Sequence, residues 1–171
     1  TTAVRNTTTD AAAPVVKTTF STTQGQPLAE PPVLRSEDGV LETSFDVATD
    51  SFEVGGTKVK GIGYAGGLLG PTLVVSPGDT IRIDLQNGLD EETNFHTHGL
   101  HVSPEGISDN VLRVMEPDSD NAVEIDLPLD VAPGTYWYHA HLHGLTEPQV
   151  FSGLAGALVV NGLTERLPAD L

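Results

Sequence analysis

Six histidines occur in this chain of 171 residues, and they fall in two short stretches: His96, His98 and His101 in "HTHGLH", and His139, His141 and His143 in "GTYWYHAHLHG". Both stretches contain the spacing H-x-H. In a β-strand, residues i and i+2 project from the same face, about 6.6 Å apart at ~3.3 Å rise per residue. That span is long for two imidazoles chelating one ion at ~2.0–2.1 Å, but it suits a pair that offers one ring to each of two neighbouring ions. Two such strands side by side would line a multinuclear metal site with His96, His98, His139 and His141. An all-imidazole donor set suits copper, zinc, nickel or iron, and ligand type alone does not choose among them. The sequence has no cysteine, which excludes disulfides, zinc–thiolate sites, iron–sulfur clusters and blue-copper centres.

Rings aimed in this way need rigid strands behind them. From about residue 40 the pattern has period two: "LETSFDV" alternates Leu41, Phe45 and Val47 with polar partners, and "DTIRIDLQN" alternates Ile81, Ile83 and Leu85 with Arg82, Asp84 and Gln86. The glycine-rich "GIGYAGGLLGPTLVVSPGD" reads as a loop, a brief strand at Leu73-Val74-Val75, and a turn at Ser76-Pro77-Gly78-Asp79. Further strands are expected at 94–98, 122–127, 135–141 and 155–160. A short helical turn near 145–152 fits only with Pro148 in its first turn. With 18 glycines and 12 prolines, many short strands between turns indicate an all-β fold, a Greek-key β-sandwich or barrel. Residues 1–32 are rich in Thr, Ala and Pro and read as an extended or disordered arm. Residues 33–171 form the expected domain.

The balance of 24 acidic against 8 basic residues, a formal charge of −16, disfavours nucleic acid or an anionic membrane as partner and favours cations, its plain alternative being a surface that confers solubility or salt tolerance. The apolar run "GLAGALVV" at 153–160 is far shorter than the ~20 residues of a membrane helix. The arm resembles the segment behind a cleaved export signal, so a secreted, periplasmic or extracellular location is expected, with the signal already removed.

Three stretches, "GPTLVVSPGDTIRIDLQNGL", "NFHTHGLHVSPEGISDN" and "GTYWYHAHLHGLTEPQVFSGLAGALVVNG", together resemble the first cupredoxin domain of laccase-like multicopper oxidases. The resemblance covers about residues 65–162, and the paired H-x-H-G and W-Y-H-x-H motifs in this order are highly specific. It implies a cupredoxin-like fold and copper as cofactor. In such enzymes a reducing substrate is oxidised at a type 1 copper and O2 is reduced to water at a trinuclear cluster. By position, His96 is similar to a type 2 ligand, His98 and His139 to the ligands of one type 3 copper, and His141 to a ligand of the other. Asp109 in "SDN" resembles the family's acidic residue that helps to supply protons, its plain alternative being a turn residue. Gln149 fits the pattern in a packing role, and Trp137 fits a packing wall beside the rings. His101 and His143 match no core ligand; they are weaker metal candidates, suited to orienting the ligands, to an adventitious ion or to plain exposure.

The chain departs from the family pattern in lacking a cysteine for type 1 copper and two further H-x-H pairs. It is therefore expected to be the N-terminal domain of a longer oxidase, carrying half of a trinuclear site and inactive by itself. "NGLTERLPADL" resembles the exit toward a second domain. The alternative is a freestanding copper- or zinc-binding domain without oxidase activity, whose second copy could complete an eight-histidine site across a two-fold axis. The partners implied are O2, a reducing substrate, and further cupredoxin domains or a second copy of the chain.

Overall fold

The computed structural model describes residues 30–164 and 167–168. Its elements, in chain order, are β1 (Val33–Arg35), β2 (Val40–Val54), β3 (Thr57–Tyr64), β4 (Thr72–Val75), β5 (Thr80–Asn87), β6 (His96–His98), β7 (Ser119–Asp126), β8 (Gly134–His139), α1 (Thr146–Ser152) and β9 (Ala155–Val160). With 47% strand and 6% helix among the described residues, the fold is the expected all-β, cupredoxin-like sandwich. One sheet has the order β1-β4-β9-β8-β6 and the other β3-β2-β5-β7. Among the described residues, no helix is long and apolar enough to cross a membrane.

The period-two stretches form strands because each has one face to bury. β5 alternates buried and exposed positions along most of its length, placing Ile81, Ile83 and Leu85 against Leu41 and Phe45 of β2, while Leu73, Val75, Leu158 and Val160 close the core from the other sheet. Four rings fill the middle: Phe45, Tyr64, Phe95 and Tyr138, with centroids 5.2–6.4 Å apart. Tyr138 donates its hydroxyl to the Pro71 carbonyl at 2.7 Å. Because Tyr138 points into the core, its strand neighbours Trp137 and His139 are turned to the opposite face of β8.

Two sequence expectations need correction, and one strand was not foreseen. The glycine-rich stretch from Gly61 is not loop at its start, since β3 runs to Tyr64. Its glycines belong in a strand because other backbone comes close: a Cβ at Gly61 would meet the Ser152 carbonyl at 2.5 Å, and one at Gly63 would run into the Gly67 carbonyl. β1, an edge strand parallel to β4, is too short at three residues to show in the sequence pattern. The strand expected at 135–141 ends at His139, opposite Ala155 where β9 begins, so His141 lies past the sheet. Of the arm expected over 1–32, residues 1–29 fall outside the described residues; Pro32 is held by the Thr72 N–H at 2.8 Å.

Candidate metal centre

β6 is an edge strand and pairs antiparallel with β8 in a register that sets His96 opposite His139, Thr97 opposite Tyr138, and His98 opposite Trp137. Thr97 and Tyr138 are fully buried on the core side, so the two histidines of β6 and His139 of β8 share the other side. The chain then carries His141 round beyond the strand end to join them. The rings of His96, His98, His139 and His141 form one cluster: His96 lies 4.9 Å from His141, 5.3 Å from His139 and 5.7 Å from His98, centroid to centroid. His139 lies 5.5 Å from His98 and 5.4 Å from His141. Trp137 stacks on His139 with centroids 3.9 Å apart and planes 20° apart, which makes it the wall expected of it.

Two of the rings, His96 and His139, are aimed by partners outside the cluster. His96 Nδ1–H donates to Asp109 Oδ1 at 2.8 Å, which leaves Nε2 with its lone pair. His139 Nδ1–H donates to the Ala140 carbonyl at 2.8 Å, again freeing Nε2. That Nε2 stands 3.3 Å from His98 Nδ1. A single ion at ~2.0–2.1 Å from two imidazole nitrogens at a tetrahedral angle holds them about 3.3 Å apart, so these two nitrogens, hydrogen-bonded to each other here, stand at a separation one shared ion can bridge. One ligand nitrogen from each of His96, His139 and His141 also lies within 4.8 Å of the others. With imidazole nitrogens as donors, the cluster fits copper.

Electrostatics keep rings available as ligands. Burial holds the His139 imidazole below the ordinary histidine value; the Ala140 carbonyl opposes this, and His96, His141 and His98 add to it as neighbouring potential cations. His141 is also lowered, first by loss of water round its ring, a modest effect for an exposed residue, then by His96 and His98, with Asp109 opposing. Both shifts favour the neutral, metal-binding form.

Asp109 is buried and its carboxylate takes three hydrogen bonds: from His96, from the Thr97 N–H at 3.1 Å, and from the Thr97 hydroxyl at 2.9 Å. It therefore anchors His96 and the strand that carries it. Gln149, fully buried, accepts from Thr93 Oγ1 and donates to Glu91 Oε1 and the Glu92 carbonyl, fastening α1 to the segment that leads into β6. His101 and His143 are exposed, and neither is in the group of histidines whose ligand atoms converge. Sequence reasoning missed Asn94, which accepts the His141 N–H at 2.6 Å; its position two residues before His96, in phase with it, was the available signal.

Residues 46–165 match a family model described as "Multicopper oxidase". The chain belongs to the multicopper oxidase family. It is 40% identical over 99 residues to "Multicopper oxidase mco" of Staphylococcus haemolyticus, covering 58% of this chain and 22% of that protein. It is 37% identical over 147 residues to "Cell division protein FtsP" of Escherichia coli, covering 85% of this chain and 30% of that protein. Among solved structures, a multicopper oxidase from Campylobacter jejuni described as a metallo-oxidase superposes with a TM-score of 0.71 at 29% identity, covering 88% of this chain and 33% of that one. The chain thus spans about a third or less of the length of these relatives. As a multicopper oxidase domain it is a copper-binding domain, and without cysteine it has no type 1 copper of its own.

Proposed function

We propose that this domain supplies half of the histidines of a trinuclear copper cluster, and that the cluster is completed by a further cupredoxin domain. In this reading His98 and His139 share one type 3 copper, His141 serves the second, and His96 serves the type 2 copper. The observation that carries the reading is the β6–β8 register with the 3.3 Å approach of His98 Nδ1 to His139 Nε2, because it gives two strands a ligand pair spaced for one ion. Copper bound there would supply the electron-transfer chemistry by which O2 is reduced to water at the expense of a reducing substrate. The chain's own residues orient the donors: Asp109 and the Ala140 carbonyl fix two tautomers, Trp137 covers one side of His139 and His98, and the sheet resists rearrangement. Asp109 acts first as a positioning residue, which is compatible with a later part in proton supply. The acidic composition, 24 acidic against 8 basic residues, favours cations as partners.

The test is copper stoichiometry, by metal analysis after desalting, of the chain and of His98→Ala, His139→Ala and His143→Ala. The first two lose copper and the third keeps it. Equal loss in all three would refute the ligand assignment.

A further inference from the structure

We propose that Asn94 is a positioning residue that holds His141 in the copper site, and that the 109–111 segment thereby grips one histidine from each H-x-H pair. The proposal rests on His96 and His141 being copper ligands.

His141 has lost its sheet. β8 ends at His139, and the last ladder contact beyond it is the Ala140 N–H on the Leu154 carbonyl at 3.2 Å. A residue in that position has no strand neighbour to fix its backbone, yet its ring is nearer to His96, at 4.9 Å, than any other histidine ring of the cluster is to its neighbours. The substitute for the ladder is Asn94. Its Oδ1 accepts the His141 N–H at 2.6 Å, its Nδ2 donates to the Val111 carbonyl at 2.9 Å, and the residue is 1% exposed. A buried side chain amide bonded at both ends has little freedom, so it transmits position.

Val111 lies two residues from Asp109, whose carboxylate fixes His96 Nδ1 and both donors of Thr97. The loop that orients the first histidine of one pair therefore also orients, through Asn94, the second histidine of the other. The two rings brought together this way come from segments far apart in sequence, and the sheet register alone would not fix their distance.

The test is a double-mutant cycle on the full chain, read as Cu(II) affinity by chelator competition at neutral pH. Asn94→Ala lowers affinity about 10–100-fold, the usual effect of removing a group that orients a ligand. The double variant Asn94→Ala/His141→Ala binds no more weakly than His141→Ala, because Asn94 acts through that ring. Asn87→Ala serves as the structural control. It removes another buried amide, bonded to the Glu91, Met115 and Glu116 carbonyls and to none of the four histidines, and lowers thermal stability while leaving copper affinity unchanged. A readout without metal is amide hydrogen exchange at His141, which accelerates in Asn94→Ala.

Additive losses in the cycle, wild-type affinity in Asn94→Ala, or unchanged exchange at His141 would each overturn the proposal. If His141→Ala alone retained full affinity, the copper-ligand reading itself would fall and the proposal with it. That outcome is distinct from the others, since it appears in the single variant.

Discussion

Replacing Asp109 separates geometry from charge at the centre of the site. In Asp109→Ala three donors lose their acceptor: the His96 Nδ1–H, the Thr97 N–H and the Thr97 hydroxyl. The His96 side chain is 20% exposed, so water can replace its partner, but Thr97 is fully buried. Two buried donors left without partners cost about 1–3 kcal/mol each. Taking a value in the lower half of that range for the pair, Asp109→Ala loses about 3 kcal/mol, or roughly 10 °C in melting temperature at this chain length. Asp109→Asn keeps an oxygen for His96 and the Thr97 N–H, and the Thr97 hydroxyl can turn to accept from the new amide. It loses only the charge-assisted part, about 1 kcal/mol. The assay is urea unfolding of the metal-free chain, with unchanged slope, alongside Cu(II) affinity. Affinity falls about 10–100-fold in the alanine variant and less in the asparagine variant, which still orients His96. If both variants lost the same stability and the same affinity, or if alanine were within about 0.5 kcal/mol of wild type, the range of an ordinary surface substitution, the anchoring role of Asp109 would be wrong.

Stability of the metal-free chain falls as pH drops below about 6.5, where the unfolded histidines begin to take up protons that the lowered His139 and His141 refuse. The unfolded state then binds more protons than the native one, so the loss continues down to the folded-state values; a flat profile from about pH 7.5 to 5 would refute this. Tyr64→Phe raises stability by about 1 kcal/mol, because the Tyr64 hydroxyl is fully buried and, among the described residues, has no hydrogen-bond partner; chemical denaturation measures it, and a loss would show that the hydroxyl is satisfied in solution. Gly156→Ala loses about 1–3 kcal/mol by overpacking, since a Cβ there would run into the Tyr138 phenol, itself held by the Pro71 carbonyl. A variant of unchanged melting temperature would mean that the ring has room to move.

Much of the fold was legible because its signals are local. Alternation at Leu41–Val47 and Ile81–Leu85 is a one-sided burial pattern that any strand of that sequence must satisfy. The H-x-H spacing likewise set that His96 and His98 share one face of β6, and the family resemblance named the metal. What stayed hidden depends on contacts between distant segments. Gly61 and Gly63 looked like loop residues because the backbone that crowds them, Ser152 and Gly67, comes from outside the strand. His141 looked like a strand residue because nothing in its own stretch says that β9 begins opposite His139.

The sequence by itself supplied the candidate donors: four imidazoles in two spaced pairs, no thiolate, and strands able to carry them. Only the tertiary structure decided the register that puts His96 opposite His139, the 3.3 Å approach of His98 to His139, and the amide of Asn94 that retrieves His141. Periodicity is set residue by residue along the chain. Register and second partners depend on which strands bury their faces against one another, and that is settled only when the whole core has packed.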